Sequence, residues 1–150
     1  MVFLEQLVTS FIASAAFVVL FNAPKEALLK CGLSGMLGWI VYFGLTYSGS
    51  GPIAGTLAAS FLIAVISQVF AKRYKMPIII FSVAGIIPLV PGGLAYDTMR
   101  NIVESDYNTA VALAVRASML SGAIAVGLVF SEVINHVFRK PSINPGKMQQ

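Results

Sequence analysis

Charge is what this chain has least of. Asp, Glu, Lys and Arg together make up 11% of its 150 residues, against about 25% in a soluble domain. A water-facing surface cannot be covered from that inventory. Hydrophobic residues are 57% of the sequence and the mean hydropathy is +0.84, which places the chain among integral membrane proteins. Cysteine is nearly absent. Cys31 stands alone, which excludes an internal disulfide, and no ligand cluster surrounds it for metal or redox chemistry. It reads as a small apolar residue near a membrane edge. No HExxH, GxSxG, Ser/His/Asp set or Walker loop is present. The sequence therefore offers no catalytic residue, no metal site and no cofactor site, and it does not read as an enzyme. The net charge of +4 could suit nucleic acid. The basic residues instead sit in short clusters between apolar runs, as membrane loops do, so nucleic acid is not the expected partner; the lipid bilayer is.

Five apolar segments separate, at about 3–21, 33–47, 53–71, 77–96 and 109–138. The predicted fold is all-α: a polytopic membrane helix bundle with about five transmembrane segments. Residues 1–138 form the transmembrane domain and 139–150 a polar cytoplasmic tail. Residues 1–22 lack a positive leading region, carry Glu5, and stay apolar past the ASAA run at 13–16, so they read as a retained span rather than a signal peptide. The second segment, LSGMLGWIVYFGLTY, falls short of the roughly 20 residues a crossing needs, and whether it fully spans is left open by length. The fifth is long enough to tilt or to project into water. Charge bears on the second. Lys and Arg gather on the cytoplasmic side of membrane proteins. If all five segments cross, one side holds Lys25, Lys30, Lys72, Arg73, Lys75, Arg139, Lys140 and Lys147, and the other only Arg100. If the second does not cross, the eight-to-one split weakens to six against three. Five spans are expected, with the N-terminus outside and the C-terminus in the cytoplasm.

Small residues recur four apart at Gly51, Gly55 and Ala59, and again at Ala110, Ala114, Ser118 and Gly122. Such rows let helix backbones approach closely, so they are the predicted helix-packing positions. The fourth segment carries the run SVAGIIPLVPGGLAYDTM. Pro88 and Pro91, followed by Gly92 and Gly93, should break its helix. Counting from Met76, the break begins roughly 18 Å into a ~30 Å core. Freed backbone groups at that depth must be covered by protein or line a wet cavity. Discontinuous helices of this kind hold substrates in transporters; a plain proline kink is the alternative. The second half-helix, beginning near Gly92, would present free N–H groups to an anion. Tyr96 and Asp97 follow the break. Arg116 lies in the fifth span, where it either snorkels outward or lines a pathway. Asp97 could pair with Arg100 or Arg116. His136 reads as an interfacial residue with Glu132 as its hydrogen-bond partner.

The run FNAPKEALLKCGLSGMLGW (21–39) and then IIPLVPGGLAYDTM (86–99), in that order and in a chain of about this length, resemble the small subunit of the threonine/serine exporter family, its YjjB-like half. The resemblance implies a multi-pass inner-membrane protein acting with a larger YjjP-like subunit, exporting threonine, serine or a dicarboxylate such as succinate. It implies secondary transport driven by an ion gradient. No site residue is carried over from the family; the substrate-pathway set Pro88, Pro91, Gly92, Gly93, Tyr96, Asp97 and Arg116 rests on the physical reading. A non-transporting assembly subunit, or a self-assembling pore, is the alternative. The identity of the carboxylate, the coupling ion and any higher oligomer are not fixed by the sequence.

Overall fold

The structure, a computed structural model, describes residues 2–138. The expected tail at 139–150 lies outside the described residues, with Arg139, Lys140 and Lys147. The described chain is built of helices: α1 Val2–Leu20, α2 Leu28–Tyr47, α3 Gly51–Tyr74, α4 Ile78–Ile86, α5 Gly92–Val103 and α6 Tyr107–Phe138. Among the described residues there is no strand. Short 3₁₀ turns at Lys25–Ala27 and Ile87–Leu89 lead into α2 and out of α4.

The helix ends follow from local chemistry. Asn22 takes φ 50°, a left-handed conformation that Asn tolerates better than most residues, and Pro24 then fixes the exit of α1. Pro52 in the first turn of α3 is preset for helix and loses no needed donor. Lys75 at φ 53° closes α3, and Pro77 starts the next element. Asp106 Oδ1 accepts the amide of Thr109 at 3.2 Å and so caps α6.

Four stretches are long and apolar enough to cross a bilayer: Phe3–Leu20, Lys25–Tyr47, Gly51–Tyr74 and Tyr107–Val137. Ile78–Leu89 and Gly92–Val103, bent by 55°, are long and apolar enough only when taken together, which makes five spans if the bent pair crosses as one and four if it is a re-entrant loop. The second segment gains length at its start. Its helix begins at Leu28, and Lys30 in the first turn lays its ammonium 3.3 Å from the centre of the Tyr74 ring. That contact puts the start of α2 beside the end of α3. Lys72 Nζ donates to Asn135 Oδ1 at 2.9 Å, which brings the end of α6 to the same place. One end of the bundle thus gathers Lys25, Lys30, Lys72, Arg73 and Lys75, and is called here the basic end.

The core has two parts. Val18, Ala27, Cys31, Phe81 and Ala84 pack together toward the basic end, with the Phe81 ring edge-on to Phe70 at 5.7 Å. Ala59, Ile63, Leu89 and Ile124 form the second cluster, where α3, α6 and the turn after α4 meet. The buried side of α6 runs through Ala110, Leu120, Ile124, Gly127 and Ser131, with Leu113 and Ala117 half-buried between them. This alternation of three and four stays on one face of a helix, whereas strict steps of four rotate off it. Ala114 is accordingly half-buried, and Ser118 and Gly122 are exposed within this chain. On α3, Gly55 faces Tyr42 and Thr46 of α2, Ala59 is fully buried, and Gly51 (φ 82°) opens the helix with free space around it.

Candidate functional site

Pro88 cannot donate to the carbonyl of Ala84, so α4 tightens into a 3₁₀ turn and ends after nine helical residues. Nine residues rise only ~14 Å, about half of a ~30 Å hydrocarbon core. The chain extends at Val90, the Gly92 amide donates to the Val90 carbonyl at 2.8 Å, and α5 begins. Pro88 and Pro91 are half-buried in this turn. Gly92 and Gly93 are exposed, and a Cβ on either would meet nothing within 4 Å. Tyr96 and Asp97 lie exposed on α5, which has no buried residue.

Arg116 sits apart from the break's backbone. The pairs Gln68–Ser131 and Lys72–Asn135 set α3 and α6 side by side and parallel, at a constant offset of 63 residues. At that offset Arg116 is level with Ile53, in the first turn of α3, at the end of the bundle opposite the basic one. It is exposed. Among the described residues the one ion pair is Arg100 Nε to Glu104 Oε1 at 2.9 Å; Asp97 bridges neither Arg100 nor Arg116.

The inner consequence of the break is Leu89. The 3₁₀ turn carries this side chain inward, 7% exposed, against Ala59, Ile63 and Ile124. Leu128, which packs on the same cluster, also lines a cleft on its basic-end side. The cleft encloses about 260 Å³. Ala64 and Gln68 of α3 form its floor, Ile78 and Ser82 of α4 one wall, and Leu128 and Glu132 of α6 the other. Gln68 is buried and donates through Nε2 to the Ser131 carbonyl and hydroxyl, both at 3.2 Å. A carbonyl can only accept, so this bond fixes the amide orientation. Oε1 then has no donor among the described residues.

A larger cavity of about 400 Å³ between α1 and α4 is lined by Phe17, Phe21, Pro24, Ile79 and Val83, with Asn22 the polar exception.

The break, Tyr96, Asp97 and Arg116 were legible as intramembrane oddities. Gln68 and Ser82 were not singled out, and Glu132 was read only through His136, to which it makes no hydrogen bond among the described residues. The available signal was Gln68 itself, an amide inside an apolar span. No solved structure matches the chain. A family model described as Threonine/Serine exporter, ThrE, matches residues 6–134, a range that contains the break and every residue of the cleft. The chain belongs to the threonine/serine exporter family.

Proposed function

We propose that this chain is a subunit of a secondary-type exporter in the inner membrane, moving small carboxylates out of the cell together with a larger subunit of the same family. The N-terminus lies outside and the C-terminus in the cytoplasm, so the basic end faces the cytoplasm. The observation that carries the reading is the interrupted fourth span. A helix that stops half-way across hydrocarbon leaves backbone groups that a simple anchor would not tolerate, and here the stop seats Leu89 against Ala59, Ile63 and Ile124, a cluster on which Leu128 of the cleft also packs. Substrate enters from the cytoplasmic side, and the Leu89–Ile124 contact is the barrier that must part for release. The 3₁₀ turn and extended Val90 provide the place where α4 and α5 change angle.

The larger subunit has a surface to use. Ser118 and Gly122 form an exposed small-residue row on α6, Gly92 and Gly93 have open space where a Cβ would stand, and Arg116 and Asp97 are exposed. Co-purification with the larger subunit, followed by efflux from proteoliposomes loaded with serine, threonine or succinate, tests the proposal. Efflux that needs both chains supports it. Efflux that survives omission of this chain, with the partner still stable, makes it an assembly subunit instead; leakage from vesicles holding this chain alone makes it a pore.

A further inference from the structure

The cavity of about 400 Å³ between α1 and α4 is a short slot that opens at the basic end. Its floor reaches Val18 and Ala84, which belong to the buried core, so it is a gap between helices and not a dimple on one of them. Phe17 and Phe21, their rings 5.6 Å apart, wall it on the α1 side, and Ile79 and Val83 on the α4 side. From Ile79 to Ala84 it runs roughly 8 Å along α4. Beyond Phe17 it closes, because α1 packs on the 3₁₀ turn after α4 and Ser14 lies against Gly35 of α2. A transmembrane helix needs a groove about as long as the ~30 Å hydrocarbon core, so this slot is too short for a helix of another subunit. Left empty, it would forfeit the dispersion contacts of its walls. Water is a poor filler, since Asn22 is the one polar side chain on the lining and a buried water needs about two to four partners. A single hydrocarbon chain fits.

The mouth carries charge of one dominant sign. Asn22 and Pro24 line one lip, and Lys25 follows directly. The other lip is the first turn of α4, which the chain enters from Lys75 through Met76 and Pro77. Cys31 Sγ lies 3.5 Å from the Ile80 carbonyl, so the starts of α2 and α4 are neighbours. Lys30 and Lys72 are engaged by Tyr74 and Asn135. Lys25 and Lys75 are exposed and form no ion pair among the described residues, and the acid nearest them in sequence is Glu26. We propose that the slot holds an anionic phospholipid of the leaflet at the basic end, with one acyl chain between α1 and α4 and the phosphate between Lys25 and Lys75. The chain is in apolar surroundings both inside the slot and outside it, so its burial does not choose one lipid over another. The choice is made at the mouth, where each basic residue near the surface favours an anionic headgroup by about fivefold. The inference goes beyond the exporter reading and does not depend on it. With α4 as one wall, the lipid touches the helix that carries the break.

Native mass spectrometry of the purified full-length chain in an uncharged detergent tests this, with phosphatidylglycerol and phosphatidylcholine of identical acyl chains offered in competition. Wild type should retain phosphatidylglycerol in preference to phosphatidylcholine, and the preference should shrink as salt rises. Lys25→Gln and Lys75→Gln should each lower it about fivefold, while Lys25→Arg keeps it. Both lysines are exposed, so these variants fold as wild type does. Val83→Phe fills the slot from a half-buried position and should lose the retained lipid of either kind. The soluble headgroup sn-glycerol 3-phosphate, which has no chain to place in the slot, should not displace the lipid. Equal retention of the two lipids by wild type overturns the proposal, and so does an unaltered preference in both lysine variants. Full retention of phosphatidylglycerol by Val83→Phe removes the chain from the slot. Displacement by sn-glycerol 3-phosphate makes the mouth a phosphate site and overturns the lipid.

Discussion

Two glycines on α6, five residues apart, should respond in opposite ways to the same methyl group. At Gly127 a Cβ would stand 2.8 Å from the Leu57 carbonyl oxygen and 3.0 Å from the Phe61 amide nitrogen, with Ser60 Oγ closer still. Ser60 can rotate; the α3 backbone cannot move aside without taking the helix with it. Carbon–oxygen contacts normally begin near about 3.3 Å, so α3 and α6 must separate by roughly half an ångström at their crossing. A gap of that size forfeits about a quarter of the dispersion well over the facing atoms, and overpacking of this kind costs about 1–3 kcal/mol. At Gly122 nothing lies within 4 Å of the same position. The helix-propensity gain of alanine over glycine, up to ~1 kcal/mol, is common to both sites and cancels in the comparison. Gly127→Ala should therefore be less stable than Gly122→Ala by about 1–3 kcal/mol, read as resistance of the purified chain to denaturing detergent or heat. Equal stabilities of the two variants would refute the close α3–α6 contact and with it the register that places Arg116, Gln68 and Ser131.

Other consequences are as open to measurement. Gln68→Leu removes both hydrogen bonds to Ser131 and strands a buried hydroxyl, and should lower stability by about 1–3 kcal/mol. Gly92→Leu meets open space, so the chain should insert and fold at wild-type levels; loss of transport in that variant, with folding intact, would assign the break's open side to a partner or a moving part, and normal transport would remove it from the mechanism. Impermeant thiol reagents applied to intact cells, in a Cys31→Ser background, should label Ser105→Cys from outside and Lys75→Cys only after permeabilisation; the reverse pattern inverts the proposed orientation. Asp106 accepts hydrogen bonds from the Thr109 side chain and amide, which hold its carboxyl below the usual range. A depressed folded-state value means its capping contribution is present above the unfolded value, near about 4, and is lost as pH falls through the folded one. Amide exchange at Thr109 should accelerate over that window in wild type and be insensitive to it in Asp106→Asn.

Much of the fold could be read from hydropathy because a bilayer demands long apolar runs and tolerates few alternatives. The proline pair was legible for the same reason, since a missing donor has no solvent to excuse it. The second span was underestimated because Lys30 interrupts the apolar window, while in three dimensions the lysine leans on Tyr74 and the helix continues beneath it. The packing face of α6 was obscured by counting in fours. Each step of four turns the position by about 40°, so Ala114, Ser118 and Gly122 wind away from α3 while Leu120, Ile124 and Gly127 turn toward it. The cleft could not be seen at all from linear spacing. Gln68, Ser82 and Glu132 come from three helices, and only the parallel register of α3 and α6, with α4 laid beside them, brings the three together.

That register also explains why the break belongs where it is. An uninterrupted α4 would have carried the row Phe81, Ala84, Gly85 onward along the bundle to residue 88, with residue 89 at the edge of the same face. Pro88 withdraws one donor, the turn tightens to three residues, and Leu89 is driven between Ile63 and Ile124. One turn to the basic side, Leu128 is shared between that plug and the cleft wall. A change in the angle of the broken helix therefore moves the plug and the wall together, because both rest on the same leucine. Replacing Pro88 with alanine restores the missing donor and favours a straight helix. The stable, inserted protein that results should bind from the basic end and fail to release, so uptake into everted vesicles falls while the apparent affinity for threonine holds. A Pro88→Ala variant that transports at the wild-type rate would show that the turn fixes only a shape and that the barrier lies elsewhere.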